Sequence, residues 1–268
     1  MRKGSTAVEE YGGGWSADRA HALYSGTKSF WSIAAGAAAE DGLLMLDERV
    51  CETIPEWNEA GKSRVLIRDL LGLTSGLPFG GLGAGVPTFD AAIAKPLAQM
   101  PGTTFTYSGI PLQVFGAVFS RKLAPRGLTA LAYLKQRIFD PIGLSIGSWR
   151  KLKDGMETLP TGAFLTAHDW SKFGQLLLQG GKWSGKRVIQ QSTIDECWQL
   201  GKINERYGLG FWLHEPRDKE QFVAYASGAG GQGLYIIPSK NAVIVHFGQS
   251  NSYNHERFLR RIFEAPKT

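Results

Sequence analysis

Cysteine is scarce in this chain: two residues in 268, Cys51 and Cys197. Two isolated thiols build neither a disulfide framework nor a cysteine zinc cluster. No apolar run reaches the roughly 18 residues that a membrane span needs, so no span is expected. The start, Met1-Arg2-Lys3-Gly4-Ser5, is basic but has no apolar stretch behind it. No secretory leader is read there, and a cytoplasmic location is the expectation. Neither a Gly-x-Ser-x-Gly elbow nor a His-Glu-x-x-His zinc motif occurs. The five histidines (His21, His168, His214, His246, His255) lack ligand spacing, so no metal is expected.

What is present is apolar material for a core, 43% of residues, which excludes disordered and collagen-like chains. Thirty-four glycines point to many tight turns. The net charge is +6, but the basic runs, such as Arg121-Lys122 and Arg150-Lys151, are scattered and carry no recognition-helix pattern. Solvated surface is the better reading, with no nucleic-acid partner.

Ala7 to Tyr11 reads as a short strand. From Ser25 to Asp41 runs an Ala-rich, nearly all-apolar stretch, predicting a helix buried on every side. A second helix is expected over Arg64 to Leu73, a glycine-rich loop over Phe79 to Pro87, and a strand-like run over Thr103 to Tyr107. Pro111 opens a helix with Leu112, Phe115, Val118 and Phe119 on its apolar face. Thr166-Ala167-His168-Asp169 reads as a capping box before a helix reaching Leu178. The last third changes period. Tyr207–Leu213, Phe222–Ala226, Leu234–Ile237 and Ala242–Phe247 predict strands of an antiparallel meander, and a closing helix spans Asn254 to Glu264. Helices first and strands last read as α+β.

Two phosphate-binding patterns fail on context. Gly228 to Gly233 fits Gly-x-Gly-x-x-Gly, but a strand follows where a helix is required; Gly180 to Lys186 lacks the Ser or Thr of a P-loop, Arg187 standing in its place. Ser-x-x-Lys occurs twice, at Ser25–Lys28 and Ser148–Lys151. Residues i and i+3 share a helix face, so a lysine opening the most apolar helix is drawn out of water beside the hydroxyl. Desolvation lowers its pKa and makes it a usable base, and the free N–H groups of a helix start can hold an oxyanion. Ser148–Lys151 lies in a basic, extended connection that offers none of this. Tyr107, just ahead of the Pro111 helix, is a candidate proton carrier.

Tyr24-Ser25-Gly26-Thr27-Lys28-Ser29-Phe30 resembles the nucleophile segment of the serine β-lactamase and penicillin-recognising superfamily, especially its class C and family VIII esterase branch. Four further stretches agree in order: Ile67 to Leu77, Pro101 to Ser108, Arg137 to Leu144, and Gly230-Gly231-Gln232 with the strand to Pro238. The resemblance implies a β-lactamase/transpeptidase-like fold, an antiparallel sheet flanked by helices with a mostly helical lobe inserted. Residues 1–48 and 162–268 would form the sheet lobe and 49–161 the helical lobe, with the active site between them. It assigns Ser25 as the nucleophile of an acyl-enzyme, and Lys28 and Tyr107 as the proton-handling pair. As an ammonium, Lys28 would favour a Tyr107 phenolate; neutral, it accepts the serine proton directly. Which of the two is the base stays open. The oxyanion hole falls to the backbone N–H groups of Ser25 and Gly228, with Ser227 beside them in the pocket. No cofactor is implied.

The chain departs from the family in three places. Gly109 stands where the family's Tyr-x-Asn motif carries Asn. Tyr225-Ala226-Ser227 replaces the third motif, so the cation that would pair with a substrate carboxylate is missing. Only 24 residues precede Ser25, so a trimmed sheet lobe is expected. The first two losses tilt the expectation to an esterase on a small neutral ester or amide. The alternatives are a β-lactamase or D-alanyl-D-alanine carboxypeptidase, and, in a different class, a penicillin-binding-like ligand-binding module without turnover.

Overall fold

The computed structural model describes residues 1, 5–59, 61–250 and 252–264; Arg2, Lys3 and Gly4 of the basic start lie outside them. In chain order the elements are β1 (His21–Ala22), α1 (Lys28–Glu40), α2 (Ile67–Leu71), α3 (Phe89–Ile93), α4 (Ile110–Leu123) and α5 (Ala130–Leu134). There follow β2 (Ser148–Trp149), β3 (Ala163–Leu165), α6 (Ala167–Leu178), β4 (Lys182–Trp183), β5 (Lys186–Arg187) and α7 (Gln191–Cys197). The last third holds β6 (Trp212–His214), β7 (Val223–Gly228), β8 (Gln232–Ile237), β9 (Ala242–His246) and α8 (His255–Glu264). The fold is α+β, as the grouping of strands and helices predicts.

The predicted meander is the four-stranded sheet β6-β7-β8-β9, antiparallel throughout, with Tyr225 opposite Tyr235 and Leu234 opposite Val245. Period-2 alternation splits its two faces. Ala224, Ala226, Leu234 and Ile236 point into the main core, whereas Val223, Tyr225, Tyr235 and Ile237 meet Leu259 of α8. The main-core face lies close against α6: a Cβ on Gly174 would come within 2.7 Å of Val243 and 2.9 Å of Leu234.

α1 is the helix without a polar face that its composition predicts. Phe30, Trp31, Ile33, Ala34, Ala35, Ala37 and Ala38 are all fully buried. Phe30 meets Phe139 and Phe173 edge-on, at ring separations of 5.1 and 4.7 Å, a favoured aromatic geometry. Half of the capping box expected before α6 forms: Thr166 Oγ1 accepts from Asp169 N at 3.0 Å, while the Asp169 carboxylate accepts from the Thr166 hydroxyl at 2.7 Å and from Ser145 N at 3.0 Å instead of completing the box. From residue 49 to 161 the described regular elements are helical apart from β2 and two isolated bridges. No described helix is long and apolar enough to cross a membrane.

Several expected elements differ. Ala7–Tyr11 is exposed and irregular, because paired Glu9 and Glu10 leave it no apolar face to bury. The helix expected over Arg64–Leu73 shrinks to α2, after a separate turn at Lys62–Arg64. Thr103–Tyr107 is not a strand; its Thr106 N–H donates to Leu73 O, a single tie rather than a ladder. A second sheet, β1-β3-β2, escaped the reading because its strands are two or three residues long and carry no period.

The glycine-rich loop after Pro78 folds onto the start of α4. Ser108 Oγ lies 3.0 Å from Pro78 O and 2.9 Å from Gly80 O, and Gly109 N donates to Gly80 O at 2.8 Å. A Cβ on Gly109 would sit 1.8 Å from Gly81 O, a backbone atom that cannot swing aside. Gly109→Ala is therefore expected to lower stability by about 1–3 kcal/mol through overpacking, read as a lower urea midpoint at unchanged m-value.

Candidate active site

Tyr24 to Thr27 form a single 3₁₀ turn that leads directly into α1. In this tighter winding, residues i and i+3 eclipse one another. Ser25 thus lies over Lys28, and Lys28 Nζ donates to Ser25 Oγ at 2.8 Å. The sequence places both residues in one α-helix; the turn brings them closer in register than that helix would.

The backbone on either side is tightly fixed. Tyr24 has φ of +47°, in the left-handed region that non-glycine residues seldom occupy and that collects at functional sites. Leu23 N donates to Ala163 O, and Thr27 Oγ1 accepts from Ala163 N, so β3 clamps both sides of the turn. Gly26 faces the Trp170 ring, which an added Cβ would approach to 2.8 Å. Ser29 Oγ donates to Gly210 O, and the Trp31 indole to Leu159 O.

Lys28 is 1% exposed. Burial removes the water that would stabilise its ammonium and brings its pKa down to about 7. Its Nζ lies 4.8 Å from the centre of the Tyr107 ring. Burial raises the Tyr107 phenol, while the Ser25 hydroxyl and the Trp212 indole beside it pull the other way. The net direction is upward, so at neutral pH Tyr107 keeps its proton while the amine is close to losing its own. Ser25, Lys28 and Tyr107 are brought together, with Ser25 partly accessible to solvent.

The far end of β7 closes the other side. A Cβ on Gly228 would fall 2.0 Å from Leu23 O, so this strand end touches the backbone leading to the Ser25 turn. Ser227, next to it, lies at hydrogen-bond distance from His255 of α8, Oγ to Nε2 at 2.8 Å. Tyr225, at the position of the missing cation, is buried and stacked on Tyr235 and His255. Gly109 has no room for the amide side chain that the family places there, because the Gly80–Gly81 loop fills that space. Ser148 and Lys151 are both exposed, on and just after β2, far from any such environment. The stretch from Gly180 to Lys186 ends in the β4–β5 hairpin, and β8 begins within Gly228–Gly233, so neither phosphate pattern has its helix.

An aromatic wall escaped the sequence reading. Tyr107 lies 5.5 Å from Trp212 and 6.1 Å from Tyr207 between ring centres, and Phe105 packs on Tyr207 at 5.2 Å. The run Tyr207 to Trp212 is rich in aromatics, but it reads equally well as strand core. Only the fold brings it beside Tyr107.

With this geometry, a proton can pass from the serine hydroxyl to the buried amine beside it, with the phenol beside the hydroxyl and its ring against the amine. A beta-lactamase family model matches residues 1–266. The 6-aminohexanoate-dimer hydrolase of Paenarthrobacter ureafaciens is 22% identical over 91% of this chain and 70% of its own. Among solved structures, a candidate 6-aminohexanoate-dimer hydrolase from Bacillus anthracis superposes with a TM-score of 0.82 at 19% identity, covering 100% of this chain and 79% of the other. A D-stereospecific amidohydrolase from Streptomyces does so at 0.73 and 16% identity, over 96% and 90%. With the order of motifs, the fold and a model match over nearly its whole length in agreement, the chain belongs to the beta-lactamase family.

Proposed function

We propose that this protein is a serine hydrolase that forms an acyl-enzyme on a small neutral ester or amide, with ester hydrolysis its main activity. The observation that carries the reading is the buried Lys28 amine 2.8 Å from the Ser25 hydroxyl, with the Tyr107 ring over it. In this reading the site lies between the helical segment 49–161 and the two sheet-bearing segments that flank it. Neutral Lys28 takes the Ser25 proton as Oγ attacks the carbonyl, because at neutral pH the phenol is still protonated. Tyr107 then lies where it can pass a proton to the leaving group. The N–H groups of Ser25 and Gly228 hold the developing oxyanion, and water releases the acyl group.

The departures at the second and third motifs favour this substrate class over β-lactams and peptide C-termini. Gly109 has no space for an amide donor, and Tyr225 supplies no positive charge for a carboxylate. The names of the similar proteins, amide hydrolases among them, keep simple amides within the class.

Ser25→Ala is expected to reduce hydrolysis of p-nitrophenyl butyrate by about 10³-fold or more, and a fluorophosphonate probe to label the parent on the Ser25 peptide. A parent that stays unlabelled and inactive points instead to a ligand-binding module. Efficient nitrocefin turnover would contradict the chosen substrate class.

Lys28 gives a second test through its proton. Its folded pKa of about 7 lies below the 10.5 of a free lysine, so between these values the unfolded chain binds a proton that the folded chain lacks. Stability of the parent therefore rises with pH across that window, and the burden of the buried amine is greatest below it. Lys28→Met is expected to be more stable than the parent at pH 7, by about 1–3 kcal/mol, with the margin shrinking towards pH 10 in urea titrations. Activity moves the opposite way: parent kcat/KM climbs with an apparent pKa near 7, and Lys28→Met is nearly inactive throughout.

A further inference from the structure

The strand end that supplies Gly228 runs into a turn of little intrinsic stiffness, Gly228-Ala229-Gly230-Gly231, in which Gly230 and Gly231 have φ of +81° and +91°. Glycine pays the largest entropy when a backbone is fixed. An N–H that stabilises an oxyanion must nevertheless be held to a fraction of an ångström. Side chains supply the stiffness. Gln232 Nε2 donates to Ala229 O and Gly248 O, and His246 Nδ1 lies 2.7 Å from Gly231 O, so the far side of the turn is tied down.

The near side depends on α8. His255, its first residue, lies between two hydroxyls: Ser227 Oγ is 2.8 Å from Nε2, and Tyr235 Oη is 2.6 Å from Nδ1. Tyr235 Oη continues to Tyr253 Oη at 3.1 Å. These groups converge on one rung of the sheet. Ser227 pairs with Gly233, and a Cβ on Gly233 would come within 2.6 Å of the Tyr235 ring, so the ring crosses that glycine to bring its hydroxyl beside His255. Tyr225 stacks on the imidazole at 5.5 Å.

We propose that His255 is a positioning residue which, through Ser227, fixes the end of β7 and with it the Gly228 N–H against the Ser25 turn. The inference rests on the catalytic reading above and adds to it a residue that never touches substrate. A neutral imidazole has one donor and one acceptor, so in either tautomer it can satisfy both flanking hydroxyls. Burial first, and His246 second, lower its pKa to about 4, which keeps it neutral at ordinary assay pH.

The experiment compares Ser227→Ala, His255→Phe, the double variant and His255→Gln with the parent on p-nitrophenyl butyrate. Held positioning of an oxyanion donor is felt in the transition state far more than in the ground state. Each single variant is expected to lose about 10-fold or more in kcat with KM within about 2-fold. The double variant should be no worse than the poorer single one, since both cut the same tie. His255→Gln, which keeps a donor and an acceptor, should recover most of the loss, and the fluorophosphonate should still label Ser25 in every variant.

Unchanged kcat in both single variants, or losses that multiply in the double, overturns the inference and leaves the Ser25 reading intact. A parent that neither labels nor turns over ester overturns that reading, and this one with it. If His255→Phe loses its cooperative urea transition, Ser227→Ala and His255→Gln decide the matter by the same kcat and KM criteria.

Discussion

The arrangement depends on an amine kept from water. Lys28 enters α1 where that helix has no polar face, and the chain accepts the desolvation of a cation to place it there. A surface lysine beside the same serine would be fully charged and would give the hydroxyl nothing to donate its proton to. Burial alone, however, does not deliver the contact. The 3₁₀ turn sets the hydroxyl over the amine, β3 holds both sides of that turn, and the tight approach of Gly26 to Trp170 presses it onto the core. The burial of α1 and the chemistry of its first turn are one constraint viewed from two directions.

Much of the fold was legible because its signals are local. An Ala-rich run with no polar face can only be an interior helix, and α1 is one. A threonine three residues before an aspartate caps α6 by the first of the two hydrogen bonds that the pattern predicts. The strands of the meander are short apolar runs joined by turns, and their order follows from those short connections. Where the reading failed, periodicity was absent. Strands of two residues, as in β1 and β2, have no period to detect, and the extended-looking Thr103–Tyr107 finds no neighbouring strand. The candidate site divides in the same way. Ser25 and Lys28 are three residues apart and could be seen together. Trp212 and His255 meet Tyr107 and Ser227 from far along the chain, and no local pattern announces such meetings.

The departures from the family pattern acquire physical reasons in three dimensions. Gly109 is not simply an asparagine lost, because the Gly80–Gly81 loop occupies the volume that an asparagine side chain needs. The loop, in turn, is held by Ser108, the residue next to Tyr107. At the third motif Tyr225 joins a stack with Tyr235 and His255 rather than presenting a charge. Here that edge of the candidate site is lined by close-packed backbone and stacked rings.

Tyr24 has a consequence of its own. Its left-handed backbone lies between β1 and Ser25, so the placing of Ser25 over Lys28 depends on the main chain that leads into it. That contact is thereby a property of spacing: adding or deleting a residue between Ala22 and Ser25 would swing the hydroxyl away from its amine while leaving the composition of the candidate site unchanged.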